Sequence, residues 1–224
     1  MKVLFAIPSY EGKITVETTS SMLALQLYYG KQGLKYGTDY EICFLQACPY
    51  ISIQHNRLVS SFMNTDATDF FMIHDDIGFK PKDVINILNQ EEDFVSGAYP
   101  RKGDDKTDFP VKAKPDGNGN IISKDGLIEA EWVQTGFLRI KRTVFEKMQD
   151  AYPELKYIDR EEGPSYDLFA HGINKDGIWV GDDYAFCDRW TAIGGKIWIY
   201  PDIDFSHIGK RISHGNFHKF LIGE

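Results

Sequence analysis

The chain has 224 residues, of which 42% are hydrophobic, 26% charged and 14% aromatic, and its formal net charge is −8. That length suffices for one substantial core, and that composition excludes a disordered or fibrous chain. The acidic balance argues against a protein held to nucleic acid mainly through phosphates; it fits a site that gathers carboxylates around a divalent cation, as it fits any acidic surface.

The first residues look superficially like a leader, but the apolar run Val3-Leu4-Phe5-Ala6-Ile7 is short and Pro8 ends it, so residues 2–7 are read as a buried strand. Over 15–29, Val16, Met22, Leu23, Leu25 and Leu27 recur at helical spacing, with Gly30 and Gly33 as stop signals. A second strand is expected over 40–46 and a second helix over 53–64. Residues 69–73 form an intensely apolar third strand that runs directly into His74-Asp75-Asp76. Pro81 opens a helix over 81–89, at a position where a missing N–H does no harm, and 94–98 is a fourth strand.

Residues 101–120 are polar and rich in Asp, Lys, Gly and Pro, and read as a mobile loop leading into a hairpin around 121–128. A strand over 131–140 and a helix over 142–149 follow. Residues 152–178 are aromatic and turn-rich, the mark of a functional or flexible loop. A helix over 181–191, a strand over 196–200 and a short strand over 203–207 complete the chain, which is read as one domain, 1–224. Strand–helix alternation of this kind implies an α/β fold with a mostly parallel central sheet flanked by helices. Ligands in such sheets sit beyond the carboxyl ends of the strands, where the acidic cluster lies. Cys43, Cys48 and Cys187 match no zinc spacing and are read as reduced and mostly buried. No stretch approaches the roughly 20 apolar residues of a membrane span, and a cytoplasmic location is expected.

Three constellations can do chemistry. In Ile73-His74-Asp75-Asp76-Ile77, two adjacent carboxylates at a strand end repel each other, a cost that a hard cation such as Mg²⁺ or Mn²⁺ relieves while leaving positions for phosphate oxygens; the plain alternative is a pair of surface or capping aspartates. Asp182 and Asp183 follow Gly181 at a helix start, where an aspartate can cap orphan amides or take a proton from a hydroxyl in the cleft. His207 follows a short strand and can ligate metal or serve structure; Gly209 lets the backbone approach a phosphate and Lys210 can neutralise it.

These segments together resemble a GT-A (Rossmann-like) glycosyltransferase of the compact, family 2-like kind found in bacteria and phages, over nearly the whole chain. The resemblance is carried by Ala6–Tyr10, by His55-Asn56-Arg57, by Phe71–Pro81 in the place of the Asp-x-Asp metal motif, by Ser96–Lys102, by Gln134-Thr135-Gly136-Phe137 with Arg142–Phe145, by Gly181–Arg189 as the Glu-Asp-x5-Arg element, and by Gly194–Trp198 with His207. Two departures stand out: His74 occupies the first Asp position of Asp-x-Asp, and Asp182 the Glu position.

The resemblance implies a nucleotide-sugar donor of the UDP class, gripped by Pro8, Ser9, Tyr10, Asn56, Arg57, Asp75, Lys102, Gly209 and Lys210. It implies Mn²⁺ or Mg²⁺ on Asp76 and His207, with His74 as a further ligand, and Asp183 as base with Asp182 as helper or second candidate. Inversion of configuration is favoured, although His207-x-Gly209-Lys210 is also similar to an arrangement in retaining members. The acceptor is a glycan or a modified nucleobase, with Tyr157, Tyr166, Phe169 and Trp179 able to stack on either. Two rivals are a non-catalytic carbohydrate- or nucleotide-binding module, suggested by His74, and a nucleotidyltransferase, against which Pro8–Lys13 is too poor in glycine and basic residues.

Overall fold

The computed structural model describes residues 1–36, 39–46, 48–103, 107–174 and 176–223, the side chains of 31–36 excepted. The chain runs β1 (Lys2–Ser9), α1 (Val16–Tyr36), β2 (Asp39–Gln46), α2 (Ile51–Met63), β3 (Asp69–Ile73), β4 (Ile77–Gly78), α3 (Pro81–Leu88) and β5 (Phe94–Gly97). It continues through β6 (Lys112–Ala113), β7 (Ser123–Lys124), β8 (Leu127–Trp132), β9 (Phe137–Lys141) and α4 (Arg142–Ala151). The last third holds two hairpins, β10 (Lys156–Asp159) with β11 (Gly163–Tyr166) and β12 (Gly172–Ile173) with β13 (Trp179–Val180). Then come α5 (Asp182–Ala192), β14 (Ile197–Tyr200), β15 (Asp204–Ile208), β16 (Ile212–Asn216) and α6 (Phe217–Ile222).

The central sheet has the order β2-β1-β3-β9-β5-β14-β8-β6, with β7 on β8. Strands β1, β2, β3, β5 and β14 share one direction, while β9 and β8 run against them. Alternation along the buried strands feeds two apolar layers. Leu4, Ala6, Phe70 and Met72 pack toward α2, α4 and α5; Val3, Phe5, Phe71 and Ile73 pack toward α1 and α3. The expected α/β architecture, a sheet with helices on both faces, is the one observed.

Several boundaries differ for physical reasons. Helix α1 passes through Gly30 and Gly33 to Tyr36. Its inward stripe is Thr18, Ser21, Leu25 and Tyr29, while Val16, Leu23 and Leu27 face solvent. The strand expected over 131–140 is two strands, β8 and β9, which are separated in the sheet by β5 and β14. The break falls where Gly136 comes so close to Tyr99 that a Cβ would lie 2.4 Å from the phenol oxygen. Residues 101–120 contain β6 and a bridge from Pro115 to Ile121; residues 104–106 of that expected loop, and residue 175 of the expected 152–178 loop, lie outside the described residues. The 152–178 segment is otherwise largely ordered into hairpins. Of the three cysteines, Cys187 is buried and Cys43 and Cys48 are half-buried.

Candidate functional site

The acidic cluster is held by main-chain ties from three sides. Where β3 ends, the His74 amide donates to the Gly136 carbonyl at 2.9 Å. At the start of α1, the amide of Thr15 donates to the Asp75 carbonyl at 2.9 Å, Thr18 Oγ1 donates to the Ile77 carbonyl at 3.0 Å, and Ser21 Oγ accepts from the Phe79 amide at 3.0 Å. The polar residues on the inward stripe of α1 therefore fasten the turn that carries Asp75 and Asp76. From the third side, β4 pairs antiparallel with β15, His207 opposite Ile77 and Ser206 opposite Gly78.

That pairing sets His207 beside Asp76. His207 Nε2 lies 3.6 Å from Asp76 Oδ1, and His207 Nδ1 donates to the Pro100 carbonyl at 2.7 Å. A neutral ring that donates through Nδ1 keeps its lone pair on Nε2, facing the carboxylate. Asp76 Oδ1 is buried and has no hydrogen-bond partner among the described residues. The other oxygen, Oδ2, is paired with the Lys102 ammonium. Gly209 backs Lys102 closely, since a Cβ there would meet Lys102 Cδ at 3.1 Å. Tyr99 packs edge-on to His207 at 5.0 Å and accepts from the Gly136 amide at 3.0 Å, so it links β5, the 133–136 segment and β15. Burial lowers the His207 pKa, partly offset by Pro100 and Asp76. Burial, then Ser9 in the opposite sense, then the Asp76 charge act on Asp75, whose pKa is raised.

The second pair of carboxylates splits in role. Gly181 caps α5 with no side-chain bond, so neither Asp182 nor Asp183 is its N-cap. Asp182 Oδ2 turns to His55 Nδ1 at 3.0 Å. Burial opposes its ionisation, and contact with His55 outweighs that to hold its pKa below the ordinary carboxylate value. Asp183 is displaced the other way: burial and then the neighbouring Asp182 charge raise its pKa. Two adjacent carboxylates thus have opposite poise, and the more basic one is Asp183.

The remaining expected residues sort by what they touch. Pro8 and Ser9 end β1 beneath the cluster, and Ser9 Oγ donates to the Lys13 carbonyl at 2.8 Å; Tyr10 is exposed. His74 is half-buried beside His55, and burial followed by that neighbour pushes its pKa down to about 3. Asn56 is committed elsewhere: its amide donates to Asp167 at 2.6 Å and accepts from the Phe169 amide at 3.0 Å. Arg57 binds Asp159 at 2.9 Å and Glu161 at 2.7 Å, fastening the β10–β11 hairpin to α2. Lys210 is exposed in the turn between β15 and β16. Among the candidate stacking residues, Phe169 is fully buried against Phe186, whereas Trp179 is exposed and Tyr157 and Tyr166 are half-buried. Phe169 is therefore a core residue and offers no stacking face.

His55, Tyr99 and Pro100 fall in segments that carry the resemblance, but the sequence alone assigns none of them a role of its own. His55 follows Gln54 within an amphipathic helix and carries no signal that it touches residues 19 and 127 positions away. Among the described residues no group of three or more His, Cys, Asp or Glu could hold a metal ion. Asp76 Oδ1 and His207 Nε2 supply two ligand atoms, enough only for an ion that keeps waters or substrate oxygens in its other positions.

No protein-family model matches the chain, and no curated protein matches it. Solved structures that share its fold include two that illustrate it. A197 from STIV aligns with a TM-score of 0.51 at 18% identity, over 93% of this chain and 86% of that one. GalNAc-T7, in a structure with UDP, GalNAc and Mn²⁺, aligns with a TM-score of 0.52 at 9% identity, over 93% of this chain and 44% of that one. The chain thus spans less than half of GalNAc-T7. At these identities the likeness concerns the fold, an α/β architecture of the GT-A kind.

Proposed function

We propose that the protein is a glycosyltransferase that takes a sugar from a UDP-type nucleotide-sugar and transfers it to a hydroxyl on a glycan or modified nucleobase. The observation that carries this reading is the pairing of Asp76 Oδ1, buried and unpartnered, with the Nε2 of a His207 ring oriented by Pro100. The likeness to GalNAc-T7, whose structure holds UDP, GalNAc and Mn²⁺, supports it.

Asp76 and His207 would hold Mn²⁺ or Mg²⁺, with His74 and Asp75 adjacent. Such an ion, when bound, neutralises charge on the donor diphosphate. Lys102 sits on the opposite oxygen of Asp76, within the same cluster, and can move its ammonium onto a phosphate oxygen. Lys210 is exposed in the turn after β15 and could reach a phosphate, whereas the Gly209 amide donates to the Arg211 carbonyl at 3.0 Å and is not free for one. Ser9, at the end of β1, and the neighbouring Asp75 suit the donor's nucleoside end. Asp183 takes the proton from the acceptor hydroxyl; that oxygen bonds to the anomeric carbon as the carbon's bond to the diphosphate breaks, and the nucleoside diphosphate leaves. One displacement inverts the anomeric configuration. Trp179, exposed on the hairpin that leads into Asp182-Asp183, is the aromatic face for the acceptor.

The test is hydrolysis and transfer assayed over a panel of nucleotide-sugars, with and without Mn²⁺, beside thermal shifts with the matching nucleotides. Mn²⁺-dependent turnover of one donor class is the expected result. A second reading, a binding module without catalysis, is favoured by the Lys102 ammonium on Asp76, where a cation would sit. It predicts nucleotide-induced stabilisation that is indifferent to Mn²⁺ and no turnover of any donor.

A further inference from the structure

His55 lies wholly buried inside α2, between two parts of the site that come from distant segments. Its Nε2 is 3.1 Å from Nε2 of His74, and its Nδ1 is 3.0 Å from Asp182 Oδ2. His55 Nδ1 and Asp182 Oδ2 are both buried and make no aligned hydrogen bond to any described residue, so they meet at 3.0 Å as a close polar contact in which a hydrogen on the nitrogen is what keeps the two from repelling. Phe169 packs edge-on against the ring at 5.0 Å and limits its rotation.

The order of the hydrogens follows from what each group can do. A carboxylate only accepts, so the nitrogen facing Asp182 carries the hydrogen. In an uncharged ring the lone pair is then on Nε2, which faces His74. Two imidazole nitrogens 3.1 Å apart need one donor and one acceptor, so His74 Nε2 donates. The lone pair of His74 is left on Nδ1. Asp182 is the first residue of α5 and Asp183 the second; His74 opens the turn that carries Asp75 and Asp76.

We propose that His55 is a positioning residue: it joins Asp182 to His74, holds the first turn of α5 against the acidic turn after β3, and sets which nitrogen of His74 carries the hydrogen. This deepens the transferase reading and rests on it only for the catalytic consequence. The bridge keeps Asp182 engaged and leaves Asp183, whose Oδ1 accepts from the Tyr184 amide at 2.9 Å, as the carboxylate that can act through Oδ2.

Two measurements on the full chain test it. In long-range ¹H–¹⁵N correlation of ¹⁵N-histidine-labelled protein at about pH 8, above the ordinary imidazole range, His55 should appear as the Nδ1–H form and His74 as the Nε2–H form. His55 protonated on Nε2, or His74 on Nδ1, overturns the proposal. In kinetics, His55→Phe should lower kcat for sugar transfer by about 10- to 100-fold, as loss of an orienting partner does, with the donor KM unchanged. His55→Gln, which keeps a donor and an acceptor, should recover part of that loss. Unchanged kcat in His55→Phe, or equal losses in both variants, overturns it. If the wild-type protein turns over no donor, the transferase reading fails, and the histidine spectrum still decides the bridge.

Discussion

His207 and Asp76 face one another across the β15–β4 pairing, Nε2 3.6 Å from Oδ1, with the other ring nitrogen of His207 turned away to the Pro100 carbonyl at 2.7 Å. The backbone register makes this arrangement, since His207 pairs with Ile77, the residue after Asp76. Asp76 Oδ1 is a buried carboxylate oxygen without a donor, a cost that a cation held with His207 Nε2 would relieve.

Removing the Asp76 charge while keeping its shape is the direct probe. Asp76→Asn should abolish the Mn²⁺-dependent part of UDP-induced thermal stabilisation and lower transfer by at least about 100-fold. The fold should survive, because the half-exposed Lys102 pair contributes only about 0–1 kcal/mol. A variant that retains the full Mn²⁺ response would remove Asp76 from the metal.

Asp183→Asn should cost about 10²- to 10⁴-fold in kcat, the range for a positioned general base, with nucleotide affinity retained. Its pH behaviour carries a sign. The folded pKa is raised by burial and by Asp182, so the acid limb of kcat should lie above the usual carboxylate range. For stability, this group favours folding most below its unfolded pKa, and the benefit is lost as pH rises through the folded pKa. Asp183→Asn should therefore melt higher than wild type at neutral pH, and the gap should close on acidification. Equal melting temperatures at pH 7 would contradict a raised pKa.

Two glycines predict opposite outcomes. At Gly136 a Cβ would sit 2.4 Å from Tyr99 Oη and 2.8 Å from its Cζ, so Gly136→Ala should destabilise by about 1–3 kcal/mol and displace Tyr99 from His207. At Gly30, inside α1, nothing lies within 4 Å of a Cβ, so Gly30→Ala should stabilise by about 0.5–1 kcal/mol. Urea denaturation of the two variants checks both, and a neutral Gly136→Ala would show that Tyr99 is free to move.

Phe169 stacks on Phe186 with ring centroids 4.3 Å apart and closes one side of His55. Phe169→Ala should cost about 3–5 kcal/mol by leaving a cavity. Phe169→Leu, which keeps most of the volume, should lose far less stability while freeing the His55 ring. A small loss for Phe169→Ala, read from chemical denaturation, would mean that the residue is not the core element its burial indicates.

Much of the framework was legible in the chain itself. The strand over 69–73 is legible with its observed ends because the four consecutive apolar residues Phe70–Ile73 stop abruptly at His74. Helix α3 was marked by Pro81, with Asp83 accepting from the Lys80 amide at its start. The α1 register differs from the expected one because the helix turns Thr18 and Ser21 inward, where their hydroxyls bind main-chain atoms of β4 and its neighbour. A hydropathy pattern weights those residues as polar and outward-facing. The split between β8 and β9 is hidden in the sequence because the chain break at 133–136 is set by sheet order and by the close backbone approach of Gly136 to Tyr99, which no local pattern shows.

Local chemistry in the sequence determined the strand–helix alternation, the acidic turn at a strand end, and Asp182-Asp183 at a helix start. Each of those is written in neighbouring residues. Only the tertiary structure decided which atoms meet: His207 with Asp76 through a strand pairing, Lys102 on the opposite oxygen, Asn56 and Arg57 committed to the 159–169 segment, and His55 between Asp182 and His74. The reason is physical. Side-chain contacts between residues far apart in the chain depend on sheet order and register, which many weak packing terms set together and no local pattern encodes.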